Sequence, residues 1–454
     1  MGFSACNITG LKTHLPGGGG RVTITVMQVT VIGTGFVGVV TAAVFAHFKN
    51  RVYGLDVDRE KVKKLRLGEV PFYEPQLAEL VRDGIKGRRL TFTSDYKEAV
   101  RNAGVIIIAV GTPSAPDGTA DLKYVFQAVA ALAPHLKEKA IVAIKSTVPP
   151  GTNEKATQLI KRVTKKKFFM ASLPEFLKEG SAVTDTLKPD RVVIGTNDRW
   201  VADRLIWLHR PIGGKRIVVR PESAQMAKYA ANAYLAQRIT FINQIANLCE
   251  RNNADVREVV DVIGADKRIG SHYWYPGLGY GGSCFPKDTK ELAAYSRSVG
   301  EGDGLFVKLD ELNERRIYTS MEKFERQVNG WEGKTVALLG LSFKPNTDDL
   351  REAPSVKIIP LLTNGRAKIV AYDPKAMPLA KKIFPYIFFT DDAYQAVAGA
   401  DVTMLLTEWS ELTHLRLGTI KRLMRGLWFI DTRNQYDPVK VRATGLSYIG
   451  IGRV

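Results

Sequence analysis

The chain has 454 residues, enough for two or three domains that each bury a core, and its apolar fraction of 45% is that of an ordinary globular protein. It contains no run long and apolar enough to span a bilayer, and its three cysteines are too few for a disulfide framework. We therefore expect a cytoplasmic protein that has no membrane partner.

The formal net charge of +19 comes partly from basic runs such as Lys165-Lys166-Lys167. Solvated surface is the simpler explanation of these runs, and a field that attracts anionic nucleotides is the other. No aromatic-interleaved basic motif is present, so we expect no nucleic-acid partner. The six histidines have no metal-ligand spacing, which predicts that the protein has no metal site.

Residues 1–26 show no hydrophobic pattern and include four successive glycines, so we predict a disordered N-terminal extension. Short β-branched runs follow at residues 29–33, 52–56 and 104–110, separated by helix-like sequence. This pattern is typical of parallel strands joined by crossover helices. It predicts a first Rossmann-like domain over residues 27–212.

Similar apolar runs recur within residues 335–406 and predict a second Rossmann-like domain over residues 326–454. Between the two domains lies a central region, residues 213–325, which begins with an Ala-rich segment that predicts a long helix from Pro221 to Cys249. A connector this long and apolar commonly serves as a packing surface, so we expect a homodimer. The predicted fold is α/β: two doubly wound parallel sheets joined by a long central helix.

A glycine fingerprint, Gly33-x-Gly35-x-x-Gly38, follows the first strand and opens an apolar helical run. Such glycines permit a tight turn, the approach of a pyrophosphate and close helix–strand packing. Asp56 ends the second strand, where a carboxylate accepts hydrogen bonds from a ribose diol and repels a 2′-phosphate. The pattern predicts NAD as cofactor, although Lys61 could hold a phosphate and the glycines could form a plain turn.

Cys284 lies in the segment Gly279-Tyr280-Gly281-Gly282-Ser283-Cys284-Phe285-Pro286-Lys287-Asp288. A cation close to a thiol favours the thiolate, which is the nucleophilic form. The segment therefore predicts a reactive cysteine with a neighbouring lysine and aspartate. A buried structural cysteine in a Gly-rich turn is the alternative.

With these residues in view, the chain resembles the UDP-glucose/GDP-mannose dehydrogenase family from about Met27 to Asn434. Six motifs in this order carry the resemblance. They are Gly33-Thr34-Gly35-Phe36-Val37-Gly38, Lys145-Ser146-Thr147-Val148-Pro149, Pro174-Glu175-Phe176-Leu177-Lys178-Glu179-Gly180, Lys228-Tyr229-Ala230-Ala231-Asn232-Ala233, Gly281-Gly282-Ser283-Cys284-Phe285-Pro286-Lys287-Asp288, and Phe343-Lys344-Pro345 through Asp349 and Arg351.

The resemblance implies oxidation of a primary alcohol of a sugar nucleotide to a carboxylate, with two NAD and one water. A Cys284 thiolate would attack the intermediate aldehyde, and the thiohemiacetal would become a thioester that water hydrolyses. Lys228 would stabilise oxyanions and Asn232 would help to position them. Asp288 and Thr147 would hold and activate the water. Glu175 would assist proton transfer during hydrolysis.

The fingerprint and the resemblance together imply two sets of binding residues. The cofactor set is Gly33, Gly35, Phe36, Val37, Gly38, Asp56, Lys61, Thr112, Thr147, Glu179, Lys287 and Arg351. The substrate set is Glu175, Phe176, Leu177, Glu179, Lys228, Asn232, Arg268, Tyr273, Tyr275, Gly277, Gly281, Phe285, Lys344 and Arg433. Within it, the resemblance implies that Arg268 reaches the substrate of a neighbouring subunit. The second Rossmann-like domain lacks the fingerprint, and the resemblance implies that it binds the UDP moiety.

Plainer structural explanations exist for several of these side chains. Lys228 and Asn232 are spaced i, i+4, and an Ala-rich helix could carry both to solvent. Glu175 and Glu179 could form the first turn of a helix. Asp288 could cap a helix that starts one residue later.

Within the family that the chain resembles, Ser283 and Phe285 on either side of the cysteine imply UDP-glucose as substrate rather than GDP-mannose or a UDP-N-acetylhexosamine. A two-electron hydroxyacid dehydrogenase is a second hypothesis, although that class needs neither Cys284 nor a second α/β half. A third is a non-catalytic nucleotide sensor or nucleic-acid binder, which the +19 charge would suit.

Overall fold

A computed structural model describes residues 27–302 and 304–453, so the predicted disordered extension lies outside the described residues. Within these ranges the chain forms two β-sheets, one in each half, with a helical region between them. The prediction of two Rossmann-like α/β domains joined by a long helix is confirmed.

The first sheet has eight strands, and the chain builds it outward in both directions from one central pair of neighbours. The strands are β1 Gln28–Ile32, β2 Arg51–Leu55, β3 Leu90–Thr93, β4 Val105–Ile108, β5 Ala140–Ile144, β6 Phe168–Ser172, β7 Arg191–Gly195 and β8 Lys215–Val219. Their spatial order is β3-β2-β1-β4-β5-β6-β7-β8. The central pair is β1 and β4, and ligands of such sheets bind at the carboxyl ends beside this switch point.

This sheet is mixed rather than purely parallel. β6 and β7 meet in antiparallel sense at a single residue pair, Ser172 with Gly195, while β7 and β8 pair in parallel along their length. The first six strands keep the order of a dinucleotide-binding sheet, so the two added strands leave the switch point unchanged.

The helices of the first domain cover both faces of its sheet. They are α1 Phe36–His47, α2 Arg59–Arg66, α3 Leu77–Lys86, α4 Tyr96–Val100, α5 Lys123–Leu132, α6 Thr152–Val163, α7 Ala182–Leu187 and α8 Arg199–Leu208, with one 3₁₀ turn at Ala133–His135. The strands bury apolar side chains on both faces in two separate clusters. This explains why their sequences read as continuous apolar runs rather than as alternating patterns.

The central region consists of α9 Pro221–Asn252, α10 Val256–Ala265, α11 Phe285–Ser298 and α12 Leu305–Val328. The predicted long helix is therefore present and extends to Asn252. It starts with Pro221 in its first turn and ends where Asn253 takes a left-handed conformation, φ 64°. α9 packs against both α11 and α12. In the described ranges no helix is long and apolar enough to cross a membrane.

The second sheet has six parallel strands in the order β11-β10-β9-β12-β13-β14, once their ranges are assigned as β9 Thr335–Leu339, β10 Lys368–Tyr372, β11 Phe388–Phe389, β12 Val402–Leu405, β13 Trp428–Asp431 and β14 Ser447–Gly450. Its helices are α13 Pro354–Asn364, α14 Met377–Ile383, α15 Ala393–Val397, α16 Ser410–Thr413, α17 Leu417–Leu423 and α18 Pro438–Ala443. This order is that of the first six strands of the other sheet.

Candidate active site

The candidate site forms where α9, the loop after β6 and the N-terminus of α11 converge. α9 contributes Lys228 and Asn232, whose residues are only 3% and 6% exposed. The two side chains lie one helical turn apart on the buried face of α9, so the interpretation of a solvent-exposed pair is wrong. Cys284 is the residue directly before α11.

Lys228 forms a buried ion pair with Glu175, at 2.9 Å between Nζ and Oε1. Glu175 lies in the loop after β6 and not in a helix, and its other oxygen accepts a bond from the Leu177 N–H at 2.7 Å. Burial opposes the charge on Lys228, but Glu175, the Cys284 thiolate and Asp288 outweigh it and raise the pKa of Lys228. The ammonium therefore stays charged at neutral pH.

Asp288 lies beside this pair, in the first turn of α11, and is 1% exposed. Because α11 begins at Phe285, Asp288 is inside the helix and does not cap it. Its Oδ2 accepts a bond from Asn232 Nδ2 at 2.6 Å, and Lys287 pairs with its Oδ1 at 2.6 Å. This places an amide donor and an ammonium on one buried carboxylate.

Cys284 has an environment that differs from the expected one. Burial raises the pKa of the Cys284 thiol to about 11; Lys228 opposes this rise, whereas Glu175 and Asp288 add to it. The neighbouring cation Lys228 thus favours the thiolate, as expected, but burial and the two carboxylates outweigh it, so the thiol's pKa stays above its ordinary value. Lys287 is adjacent in sequence, but Asp288 and Glu291 largely neutralise its charge.

The glycines before Cys284 allow the cysteine loop to touch the second domain. A Cβ on Gly281 would lie 2.2 Å from the backbone oxygen of Glu352, so a larger residue could not fit there. The N–H of Gly282 donates to the Arg351 carbonyl at 3.0 Å. The second domain thereby fixes the position of the nucleophile.

Glu179 and Arg351 meet next to this loop. Glu179 Oε1 accepts a bond from Ser283 Oγ at 2.7 Å and pairs with Arg351 at 3.2 Å. Burial and the nearby Asp349 raise the pKa of Glu179 to about 7, against the opposing charge of Arg351. Its second oxygen is buried and has no hydrogen-bond partner among the described residues, which leaves an acceptor for a bound group.

The fingerprint glycines form a cradle at the N-terminus of α1. Gly33 has φ +92°, and a Cβ on Gly38 would lie 1.8 Å from the Gly33 oxygen, so both positions require glycine. A Cβ on Gly35 would meet nothing within 4 Å, so space for a pyrophosphate is open there. Phe36 and Val37 then begin the helix. The cradle fits a dinucleotide.

Asp56 directly follows β2 beside this cradle and is 8% exposed. Its Oδ2 accepts bonds from the Thr34 N–H at 2.9 Å and hydroxyl at 2.7 Å and pairs with Lys61 at 3.1 Å. Burial opposes ionisation, but these bonds and the Asp58 N–H lower the pKa of Asp56. Because Lys61 is paired with Asp56, its charge is partly neutralised. The Asp56 carboxylate can accept hydrogen bonds from a ribose diol, whereas it would repel a 2′-phosphate.

Thr112 and Thr147 lie in the loops after β4 and β5, at the carboxyl edge of the sheet. The Thr112 hydroxyl donates to the Thr147 carbonyl at 3.1 Å, and Lys287 approaches the same hydroxyl at 3.4 Å. Among the described residues no hydrogen bond joins Thr147 to Asp288. The pairing of these two around a water therefore stays a prediction.

The aromatic residues expected at the substrate lie near the cysteine helix. The Tyr273 ring is 5.6 Å from Tyr275 and 6.2 Å from Phe285 between centroids. Phe176 lies under the Lys228 ammonium at 5.5 Å. The Gly277 N–H donates to Asn243 on α9 at 2.8 Å, which anchors the loop that carries these tyrosines.

The second domain contributes Lys344 and Arg433. Burial lowers the pKa of Lys344 against the opposing charges of Glu179 and Glu74. Arg433 donates to the carbonyls of Leu406 and Phe343 at 2.7 and 3.0 Å, so it lies at the carboxyl edge of the second sheet. Lys344 follows β9 and Arg433 follows β13, so both come from the carboxyl edge of the sheet, where such sheets bind ligands.

Arg268 does not join this cluster within one chain. It is a surface side chain, 89% exposed, and pairs with Asp266 at 2.6 Å. Its contact with a neighbouring subunit's substrate stays a prediction.

Sequence reasoning missed Glu291, which is 3% exposed in α11. It accepts a bond from the Tyr229 hydroxyl at 2.8 Å and pairs with Lys287 at 3.3 Å. The i, i+4 spacing from Lys287 is the signal that could have found it. In the described part of the chain, no three His, Cys, Asp or Glu side chains are grouped closely enough to hold a metal ion.

The fold and this geometry define a class of protein: a dehydrogenase with a dinucleotide cradle on one Rossmann-like domain and a cysteine on a loop that contacts a second one. The models of the UDP-glucose/GDP-mannose dehydrogenase family match the chain in three parts, the NAD binding domain at residues 27–213, the central domain at residues 222–315 and the UDP binding domain at residues 337–438. The chain belongs to the UDP-glucose/GDP-mannose dehydrogenase family, and its first domain binds NAD.

Individual relatives agree with this assignment. The chain is 41% identical to UDP-glucose 6-dehydrogenase TuaD of Bacillus subtilis (strain 168), over 94% of this chain and 93% of the relative. It is also 41% identical to a UDP-glucose 6-dehydrogenase of Pseudomonas aeruginosa, over 94% and 98%. A solved UDP-glucose dehydrogenase from Pyrobaculum islandicum is 35% identical and superposes with a TM-score of 0.88, over 96% of this chain and all of that one.

Proposed function

We propose that the protein oxidises the primary alcohol of UDP-glucose to the carboxylate of UDP-glucuronate, with two NAD and one water. The observation that carries the proposal is the position of Cys284 beside a buried ion pair, Lys228 with Glu175, and a buried hydrogen bond from Asn232 to Asp288. A simple two-electron dehydrogenase has no use for such a thiol. The relatives named UDP-glucose 6-dehydrogenase, at 41% identity, support the choice of sugar nucleotide.

Two NAD molecules, bound in turn at the glycine cradle, would each accept one hydride, one in each oxidation step. The Lys228 ammonium would stabilise the alkoxide that forms when the alcohol loses its proton. The Cys284 thiol loses its proton as the sulfur bonds to the aldehyde carbon, which gives a thiohemiacetal and then, after the second hydride leaves, a thioester. Glu175, paired with Lys228, is a buried carboxylate beside the thiol that would take up these protons.

Hydrolysis needs a water that loses a proton as it attacks the thioester. Asp288 is the buried carboxylate for this step, held by Asn232 on one oxygen and Lys287 on the other. Attack of the water breaks the C–S bond and returns the thiol of Cys284 together with the sugar carboxylate. Lys344 and Arg433 would hold the diphosphate of UDP from the second domain, and the Arg433 fork suits such oxygens.

The test is the number of NADH formed per UDP-glucose consumed, with limiting sugar nucleotide and excess NAD. We expect about two NADH for each UDP-glucose, because both oxidation steps occur on one enzyme. One NADH per sugar would contradict the four-electron reaction. GDP-mannose and UDP-N-acetylglucosamine serve as parallel substrates, and a higher kcat/KM on either would transfer the proposal to that sugar nucleotide.

We also propose that the protein works as a homodimer through α9. Tyr234, Phe241 and Leu248 recur every seven residues on this helix and are 58%, 50% and 57% exposed. Seven residues are two helical turns, so the three form one apolar stripe along the helix. An exposed stripe of this length is typical of a helix that packs against a partner, here a second copy.

Light scattering coupled to gel filtration tests this surface. A Tyr234→Lys and Leu248→Lys double variant should elute as a monomer, because two charges would be buried in the contact. Tyr124→Lys, at an equally exposed tyrosine on α5, is the matched control and should remain a dimer. A monomeric wild-type protein, or a double variant that stays dimeric, would contradict the proposal.

A reducing compartment suits this mechanism, and we propose the cytoplasm. Cys249 and Cys284 are free thiols, and oxidation of Cys284 would remove the nucleophile. Activity recovered only in the cytosolic fraction would support this location, whereas activity in an oxidising compartment would contradict it.

A further inference from the structure

A cavity of about 270 Å³ lies in the first domain on one side of the active-site loop. Glu175 and Phe176 line it from the loop after β6, while Lys145 directly follows β5 and His209 directly follows α8. Glu175 is therefore shared: it lines this cavity and also pairs with Lys228 on α9. The mechanism proposed above uses Glu175 and Lys228 but gives Lys145 no role.

Lys145 lacks a partner of its own. Among residues 27–302 and 304–453, no hydrogen bond or ion pair joins its ammonium to another group, although its backbone N–H is bonded to the Ile108 carbonyl. Burial lowers the pKa of Lys145 to about 8, with Glu175 opposing the change and Lys228 adding to it. The ammonium is thus partly buried and close enough to interact electrostatically with both Glu175 and Lys228.

The other charged groups around the cavity are occupied or exposed. Lys178 pairs with Asp185 at 2.8 Å, and the Arg191 guanidinium stacks on Phe176 at 3.9 Å. Lys188 and Asp190 are exposed at the rim. Burial lowers the pKa of His209 to about 4, and its Nδ1 is 2.7 Å from the Leu205 carbonyl, so the imidazole is neutral at pH 7.

We propose that Lys145 is a positioning residue that acts as the replacement counter-ion of Glu175 when Lys228 turns its ammonium toward the oxyanion of the reacting sugar. One buried carboxylate and two lysines make this exchange possible. Without a second cation, the departure of Lys228 would leave Glu175 buried and unpaired, which is strongly unfavourable. The inference rests on the proposed function, because it assumes that Lys228 stabilises a substrate oxyanion.

Steady-state kinetics of two variants test this role. Lys145→Met removes the charge at similar size and should lower kcat about tenfold or more with KM for UDP-glucose changed much less, because the lost interaction acts in the transition state. Lys145→Arg keeps the charge and should retain most of kcat. Lys188→Met, at an exposed lysine on the rim of the same cavity, is the matched control and should behave as wild type.

The pH profile separates this role from a purely structural one. Wild-type kcat should decline above about pH 8 as Lys145 loses its proton, whereas ionisation of the Cys284 thiol over the same range would act in the opposite direction. In Lys145→Arg the decline should move to higher pH, because guanidinium stays charged. An unchanged decline in Lys145→Arg would overturn the proposal, even if Lys145→Met fails to fold.

A second readout needs no substrate. Without Lys145, Lys228 is the sole cation beside Glu175, and the ion pair should hold the Lys228 ammonium away from the thiol. Alkylation of Cys284 by iodoacetamide near pH 7 should therefore slow at least threefold in Lys145→Met. A threefold change is about the effect of half a pKa unit on a thiol. Folded Lys145→Met with kcat and alkylation rate within twofold of Lys188→Met would overturn the inference. If wild type gives no NADH with UDP-glucose, the proposed function fails while this measurement still decides the position of Lys145.

Discussion

The thiol of Cys284 lies between charged groups that act on it in opposite directions. Lys228 favours the thiolate, while Glu175, Asp288 and burial favour the protonated form, and the result is a pKa of about 11. The resting site thus holds its nucleophile protonated. Because Glu175 also neutralises Lys228, any event that draws this pair apart frees the ammonium to stabilise sulfur or oxygen anions.

The reactivity of this thiol should therefore keep rising to high pH, beyond the range in which an ordinary thiol is already ionised. Iodoacetamide alkylation of Cys284 in the free enzyme should increase about tenfold per pH unit from about pH 8 to pH 10, because only the thiolate reacts. Peptide mass spectrometry follows Cys284 separately from the other cysteines. Glutathione, treated in parallel, should level off near pH 9, and a plateau of Cys284 at the same pH or below would contradict the environment described here.

Glu291 predicts a pH dependence of stability. Burial, with Asp288 adding to it and Lys287 opposing, raises the pKa of Glu291 to about 7. A carboxyl whose pKa is higher in the folded state stabilises the fold below its unfolded pKa, and this contribution is lost as pH rises through about 7. For a shift of this size the loss is on the order of 3 kcal/mol.

Glu291→Gln keeps an acceptor for the Tyr229 hydroxyl and removes the ionisation. The drop in thermal midpoint between about pH 5 and pH 8 should be smaller in this variant than in wild type. Glu258→Gln, at an exposed glutamate on α10, should leave the drop unchanged. An equal drop in all three proteins would show that Glu291 does not titrate in this range.

At the scale of elements, two glycines of the turn between β1 and α1 have different roles, one in helix packing and the other in NAD binding. Gly38→Ala would place a methyl 1.8 Å from the Gly33 oxygen and push α1 off the sheet, so the thermal midpoint should fall by several degrees. Gly35→Ala meets nothing within 4 Å and should keep its midpoint but lose NAD affinity, because the methyl occupies the space for the pyrophosphate. Calorimetry and NAD titration measure both, and equal NAD affinity in Gly35→Ala and wild type would contradict the cradle.

The start of helix α11 shows how far the sequence predicts the first residue of a helix. It starts at Phe285 with Pro286 in its first turn, a position that proline favours because its missing N–H has no helical partner there. Pro286 thus indicates the observed start, but Asp288 is also a residue type that favours the N-cap, which would place the start one residue after it. The early start places Cys284, Lys287 and Asp288 within one turn, which is the spacing that the site uses.

At the scale of the molecule, Arg351 links the second domain to the first. It pairs with Glu179 at 3.2 Å and with Asp349 at 2.7 Å and is 62% exposed. Arg351→Met should raise KM for NAD about tenfold, the size of one charge-assisted hydrogen bond, and hardly change the thermal midpoint. Arg425→Met, which breaks an equally exposed pair with Asp401, should leave KM unchanged. Equal KM values for NAD in the two variants would contradict a role of Arg351 in NAD binding.

The sequence by itself determined the two Rossmann-like domains, the long helix between them and NAD as cofactor, because apolar periodicity and glycine spacing are local properties of the chain. Only the tertiary structure decided the ion pair of Lys228 with Glu175, the raised pKa of Cys284, the pairing of Arg351 with Glu179 and the position of Lys145 beside Glu175. Each depends on residues 50 or more positions apart in the sequence, or on the burial that their packing creates. Charge and burial at a site are sums over such distant neighbours, which no local pattern encodes.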